Sequence, residues 1–267
     1  MSKVIAWFSC GAASAIAAKL AIKKYGAAVD VVYMDTGSEH QDNARFFNEI
    51  QDWLGVKVTV IKSEKYSDIW DVFDKTGFLV SPKGARCTTE LKKKVANDYR
   101  KSNLGAIEIF GYTLEEATIK RPYKIGDKYV KLTRCENFER SNPEINVEWI
   151  LPKNDLRKSD CLALLDREGI EIPVMYKMGY NNNNCIGCVK GGAGYWNKIR
   201  VDFPDVFERM SKLNRKLNRK LNIKHLDQSG ERIFLDELLP TTGNYPAEIM
   251  PSCGIVCSLV ELDDVGV

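Results

Sequence analysis

Apolar positions come in short runs separated by segments of helical spacing. Val4-Ile5-Ala6-Trp7-Phe8 is a continuous apolar run that predicts a strand, and Ala12–Tyr25 reads as a helix. Val29-Asp30-Val31-Val32-Tyr33-Met34 predicts a second strand, Asn43–Leu54 a helix, and Val56–Ile61 a third β run. Helix signals recur over Thr88–Arg100, and Ala106-Ile107-Glu108-Ile109-Phe110-Gly111-Tyr112 predicts another strand that ends at a glycine. From Lys120 to Glu148 the periodicity fades into a charged, tyrosine-containing stretch, the pattern of a mobile lid or insertion. Asp155–Glu168 and Phe203–Asn222 read as helices, and Gly169 and Pro173 break the chain between them.

Strands alternating with helices predict an α/β fold, a parallel, doubly wound sheet with helices on both faces. A C-terminal extension carrying a cysteine metal site completes the expected architecture. The division expected is a nucleotide-binding domain over residues 1–200 and a helical extension over 201–267. In such sheets ligands sit beyond the carboxyl ends of the strands. The turn after the first strand, Asp35-Thr36-Gly37 and Gly111-Tyr112 all fall on that edge.

With 267 residues and 44% apolar content the chain can bury one large core. No stretch approaches the roughly 18 apolar residues of a membrane span, and Met1-Ser2-Lys3 leads straight into a core-like strand. A cytoplasmic location without membrane contact is therefore expected. There, the eight cysteines are better read as metal ligands, catalytic groups or core residues than as a disulfide framework.

Two local features carry chemistry. Ser9-Cys10-Gly11-Ala12-Ala13-Ser14 joins the first strand to a helix through small residues, so backbone N–H groups and the positive helix end can seat a phosphate. The turn is neither a Walker A loop nor a dinucleotide fingerprint. Cys185-Ile186-Gly187-Cys188 follows four asparagines and precedes Lys190-Gly191-Gly192. Two thiols at this spacing suit one metal centre, zinc or an iron–sulfur cluster. Cys135, Cys161, His40 and His225 receive no role.

A basic segment spans 211–224, with Lys212, Arg215, Lys216, Arg219, Lys220 and Lys224 around leucines repeated every fourth residue. Without acids inside the window, it reads either as a solvated helix face or as a contact for nucleic acid. The net charge of +3 is uninformative by comparison.

The phosphate turn resembles the pyrophosphate loop Ser-Gly-Gly-x-Asp-Ser of the adenine-nucleotide α-hydrolase superfamily. Four further motifs make the chain similar to the phosphoadenosine-phosphosulfate (PAPS) reductase family, over roughly residues 4–200. They are Asp35-Thr36-Gly37, Arg86-Cys87 opening a lysine-rich helix, Gly111-Tyr112 with Glu115-Glu116, and Tyr176-x-x-Gly179-Tyr180 ahead of the Cys-x-x-Cys. The resemblance implies a nucleotide site of Ser9, Cys10, Gly11, Ala12, Ala13, Ser14, Asp35, Thr36, Gly37, Gly111 and Tyr112. By position along the chain, Arg86 and Lys92, opening a helix near the active edge, read as substrate-anion contacts, Lys190 beside the thiols as another with a catalytic role, and Arg121 as a weaker one.

The resemblance also implies a four-iron cluster held by Cys87, Cys185 and Cys188, with zinc as the alternative. A three-thiolate set would leave one iron open to a sulfur ligand, unless Cys253 closes it. Cys253 in Cys253-Gly254-Ile255 is similar to the mobile nucleophilic tail of PAPS reductases, but the tail lacks that motif's Glu and His. Cys10 stands where relatives carry Gly, and Ala13 where ATP-cleaving relatives carry Asp. Magnesium-assisted pyrophosphate release would then need another carboxylate, or the nucleotide is not ATP.

Two chemistries follow. One is thiol-dependent reduction of adenylyl sulfate, which requires a thiol or other electron donor. The other is ATP-dependent sulfur transfer to a nucleic-acid acceptor. The competing class is a non-catalytic nucleic-acid-binding protein with a structural zinc.

Overall fold

The computed structural model describes residues 3–81, 84–221, 223 and 232–247. The chain begins with β1 (Val4–Phe8), α1 (Ala12–Tyr25), β2 (Val29–Asp35), α2 (Asn43–Leu54), β3 (Thr59–Lys62) and α3 (Ile69–Thr76). A small ladder of β4 (Val80–Ser81) and β5 (Gly84–Ala85) leads through a π-helical turn at Thr88–Lys93 into α4 (Lys94–Lys101). Then come β6 (Ile107–Ile109), α5 (Leu114–Thr118), β7 (Arg121–Ile125), β8 (Lys128–Leu132), α6 (Arg134–Ser141) and β9 (Val147–Glu148). The helices α7 (Ile150–Lys153), α8 (Lys158–Arg167), α9 (Val174–Lys177), α10 (Ala193–Asp202) and α11 (Pro204–Lys216) follow.

Five strands form one parallel sheet in the order β3-β2-β1-β6-β9. Side chains of β1 alternate between its two faces. Val4, Ala6 and Phe8 join a core with α1, α2 and α8, whereas Ile5 and Trp7 join a second core with α4 and α6. The doubly wound arrangement expected from the sequence is therefore present. Helix α1 lies close on the sheet because Ala15, Ala17, Ala18 and Ala21 face inward, each at most 1% exposed. A third core joins α3, α10 and α11 around Trp70, Phe73, Trp196 and Met210, and Cys188 belongs to it. Among the described residues no helix is long and apolar enough to cross a membrane.

Three expectations need correction. The stretch 120–148, expected as a mobile lid or insertion without clear periodicity, has regular elements: the antiparallel β7–β8 ribbon, α6 and the fifth parallel strand. The long helix expected over 203–222 ends at Lys216 and is preceded by α10. Its cations are also not left bare. Lys212 pairs with Glu208 at 2.5 Å, Arg215 with Asp236 and Glu237 at 2.9 and 2.7 Å, and Lys216 with Asp74 at 3.0 Å. All of these acids lie outside the basic window: Glu208 one helical turn before Lys212, and Asp74, Asp236 and Glu237 too far along the chain for local spacing to reveal them. Lys224, His225, Cys253 and Cys257 lie outside the described residues.

A buried ion pair sits inside the sheet. Glu108 on β6, 4% exposed, accepts Trp7 Nε1 at 2.6 Å and Arg100 Nε and Nη2 at 2.6 and 2.8 Å. Removing one partner leaves a buried charge uncompensated. Arg100→Ala is expected to destabilise the protein by about 3–5 kcal/mol, read by urea unfolding. A loss under about 1 kcal/mol would mean that Glu108 is solvated in another way.

Candidate nucleotide and thiol site

The turn between β1 and α1 is shaped by one hydroxyl. Ser14 Oγ accepts the N–H of Ser9 at 3.1 Å and of Gly11 at 3.4 Å and the hydroxyl of Ser9 at 3.1 Å, and donates to the Gly11 carbonyl at 2.9 Å. Cys10 turns the corner at φ 52°, the left-handed region that costs a residue with a Cβ roughly 1–2 kcal/mol. That conformation explains why a glycine suits the position. The Cys10 thiol is fully buried, and burial, with Glu39 beside it, pushes its pKa up, keeping it a neutral thiol. Tyr176 caps the turn from above, its hydroxyl accepting the backbone N–H groups of Ala12 and Asn183. Burial outweighs those two bonds and pushes the phenol up to about 12.

Beyond the carboxyl ends of β1, β2 and β6 lies a cavity of about 420 Å³, a size that suits a small-molecule ligand. Ser9, Gly11, Ala13 and Ser14 form its floor, Met34 and Glu39 one side, and Phe110 to Thr113 the other. The floor and the β6 side touch through backbone. A Cβ on Gly111 would lie 2.6 Å from Ser14 N and 2.7 Å from its Cα, so only glycine fits. Trp7, Phe110 and Tyr112 give the cavity an aromatic wall, stiffened where Tyr112 stacks on Trp149 at 5.0 Å. Lys92, Arg121, Arg134 and Lys158 supply positive charge, although Arg134 is paired with Glu116 at 2.8 Å. Burial lowers the pKa of Lys158, against the pull of Glu116 and Glu115.

The asparagine run brings the thiols to this cavity. Asn181 to Asn184 line it, and Asn183 donates to the Cys10 carbonyl at 2.6 Å and to Asn43 Oδ1 at 2.7 Å. Three residues on, Ile186 N–H bonds the Ser38 carbonyl at 2.9 Å. Between these anchors, Cys185 Sγ lies 3.1 Å from Thr36 Oγ1 and 3.9 Å from Glu39 Oε1. Gly187 at φ 80° then turns the chain inward, and a Cβ there would meet Val206 at 2.8 Å. The N–H groups of Gly187 and Cys188 both bond Tyr195 Oη at 3.0 Å.

Of the residues singled out from the sequence, Ser9, Gly11, Ala13, Ser14, Lys92, Gly111, Tyr112 and Arg121 line the cavity. Cys10 and Ala12 are buried behind its floor. Asp35 caps its own turn by accepting Gly37 N–H at 2.9 Å, and Thr36 reaches Cys185 instead of the cavity wall. Arg86 is drawn to buried Glu90 at 2.9 Å and Lys190 is buried, both away from the wall.

Cys87, Cys185 and Cys188 all pack against the third core. Yet among the described residues no three Cys, His, Asp or Glu side chains gather into a metal-holding group. The three thiols are thus not gathered into one such group in this arrangement.

Lys158, Arg134, Glu39 and Asn183 were not singled out by pattern. Lys158 and Arg134 each open a helix near a cavity wall, which only the tertiary fold reveals. Glu39 lies just past the Asp-Thr-Gly motif, and Asn183 inside a run that was itself conspicuous.

A family model described as the phosphoadenosine phosphosulfate reductase domain matches residues 3–193. The chain belongs to this family. The chain is 25% identical over 220 residues to an uncharacterized protein of Methanocaldococcus jannaschii, covering 80% of this chain and 42% of that protein. It thus spans less than half the length of that curated relative. Among solved structures, a phosphoadenylyl-sulfate (PAPS) reductase from Candida auris in a phosphate complex superposes with a TM-score of 0.48 at 11% identity. That match covers 69% of this chain and 82% of that one.

For this PAPS reductase-family chain, Gly111→Ala is expected to push the α1 turn away from β6. Such overpacking costs about 1–3 kcal/mol, and nucleotide affinity should fall at least about tenfold. Thermal unfolding and calorimetric titration with adenine nucleotides check both; an unchanged affinity would detach the turn from nucleotide binding.

Proposed function

We propose that this protein is an enzyme of sulfur chemistry that binds an adenine nucleotide in the cavity and presents the Cys185 thiol to its anionic end. The observation that carries the reading is Cys185 Sγ at 3.1 Å from Thr36 Oγ1, beside Glu39, a residue of the cavity wall. The amides and hydroxyls of the α1 turn suit phosphate or sulfate at a helix N-terminus. The aromatic wall suits a purine, and Lys92 and Lys158 offset the anion's charge. Glu39 accepts the Cys185 proton when the thiol reacts, since the thiolate is the nucleophile.

Two reactions fit this arrangement, and a different observation favours each. Ala13 gives the floor a methyl group where a carboxylate would hold magnesium, which favours an adenylyl sulfate: Cys185 sulfur bonds the sulfate sulfur as the nucleotide phosphate leaves, and an external dithiol or second thiol then releases sulfite and is oxidised to a disulfide. The exposed, lysine-rich β7–β8 ribbon rooted at the cavity favours transfer of sulfur to a nucleic-acid acceptor after its activation by ATP. An iron–sulfur or zinc centre at Cys87, Cys185 and Cys188 is tested by metal analysis and visible absorption after anaerobic purification. The function itself is tested by assaying sulfite release from adenylyl sulfate alongside acceptor-dependent AMP release from ATP.

Cys185→Ser is expected to abolish turnover in whichever assay is positive while nucleotide affinity stays within about twofold. Glu39→Gln should lower kcat by about a hundredfold or more. Full turnover by Cys185→Ser would refute the assignment of the thiol.

A further inference from the structure

The β7–β8 ribbon has one seated face and one open face. Its register pairs Arg121 with Leu132, Pro122 with Lys131, Tyr123 with Val130 and Lys124 with Tyr129. Directly opposed residues share a face. Arg121 and Tyr123 are on the seated side: Tyr123 is 2% exposed and Arg121 lines the cavity. Pro122, Lys124, Tyr129 and Lys131 are on the other side, and all four are exposed. Tyr129 is 58% exposed, an aromatic ring open to water between lysines.

The charge on this face is uncompensated. Asp127 at the tip is the sole acid between Lys120 and Leu132. Among the described residues no carboxylate pairs with Lys124, Lys128 or Lys131, although Glu136 lies close enough to Lys120 to be influenced by it. The contrast with α11 is direct, because there each of Lys212, Arg215 and Lys216 has an acid partner. Lysines on a free strand can serve simply to prevent edge-to-edge pairing. That purpose does not account for Tyr129, whose exposed ring invites association.

We propose that the outer face of this ribbon, Lys124, Tyr129 and Lys131, is a docking surface for single-stranded nucleic acid. Lysines track the phosphates and the tyrosine ring stacks on a base, the pairing of charge and aromatic face that single-strand binders use. The face carries no Arg, Asn or Gln to read base edges in a duplex groove, so it selects unpaired bases by stacking. The ribbon is rooted at the cavity through Arg121 at its start and Arg134 just beyond its end, so a bound strand passes the cavity mouth. Delivery of an acceptor rests on the nucleotide reading of that cavity; the binding itself does not.

The test is fluorescence anisotropy with the full chain, without nucleotide, on labelled single-stranded RNA and DNA of roughly 20 nucleotides over a salt series. Binding should weaken with salt. Lys124→Ala with Lys131→Ala should flatten the log–log salt slope by about 1.4, at about 0.7 for each phosphate left without its lysine. Tyr129→Ala should weaken binding about five- to a hundredfold at fixed salt. Lys124→Arg with Lys131→Arg should retain affinity, and unchanged thermal unfolding would exclude loss of fold. No salt-dependent binding, indifference to these substitutions, a preference for duplex, or capture only by anionic phosphatidylserine vesicles would each overturn the proposal. Loss of activity without loss of strand binding would instead strike the nucleotide reading and leave the ribbon standing.

Discussion

The backbone just past β6, at Gly111, touches the backbone of the first turn of α1, and the dimensions of the site follow from that contact. Gly111 and Ser14 approach so closely that not even a methyl group could be inserted between them. The turn can hold this position because α1 itself sits low on the sheet, its inward face built of alanines. Small residues are thus required twice, once along the helix and once at the strand end. Neither requirement involves a ligand contact. What they produce is a shallow floor of amides and hydroxyls, with the aromatic wall of Trp7, Phe110 and Tyr112 rising directly beside it.

The thiol loop depends on a different kind of constraint, a set of polar clamps. Asn183 is 4% exposed and directs its amide donors to the Cys10 carbonyl and to Asn43, so it bridges the phosphate turn and α2. Ile186 is bonded to the loop after β2. Buried hydrogen bonds of this kind contribute modestly to net stability but are costly to leave unmade, which makes them effective at fixing one geometry. Three segments distant in sequence are held in register, and Cys185 falls between the clamps. The Cys-x-x-Cys spacing then divides the two thiols by role. Cys185 stays near the cavity rim, while the turn at Gly187 sends Cys188 into the third core.

Much of the sheet was legible because its strands are short, apolar and separated by helices of regular period. β1, α1 and α2 have the bounds that the hydrophobic pattern predicts. The stretch after Lys120 was not legible for a physical reason. Its hairpin alternates correctly around Gly126-Asp127, a turn pair of the expected kind, but lysines fill the outward positions and only Tyr123 is deeply buried. Charge density hid the period. The fifth strand contributes just Val147 and Glu148 to the ladder, too little to register as a pattern. Of the site, the motif order located the floor and the thiols, whereas Lys158, Arg134 and Glu39 became part of it only through tertiary packing. The basic window looked unpaired because Asp74, Asp236 and Glu237 are remote in sequence and Glu208 lies just ahead of it.

The cysteines illustrate how environment separates chemistry from packing. Burial raises the thiol pKa of Cys135 to about 12, reinforced by Glu116, and that of Cys161 to about 12, reinforced by Asp160. Such groups stay protonated at neutral pH and act as small apolar side chains. Cys10 is held neutral in the same way, although it lies in the middle of the phosphate turn. A thiolate there would repel the anion that the helix N-terminus attracts, whereas a buried thiol adds no charge and leaves the field of the amides intact. The left-handed backbone at Cys10 is tolerated because the side chain is packed under the turn rather than projected into the cavity. Cys185, half-buried and hydrogen-bonded to Thr36 and Glu39, stands apart from these three. Its hydrogen bond to the cavity-wall carboxylate Glu39 and its half-buried position are the grounds on which the proposed reactivity is assigned to it.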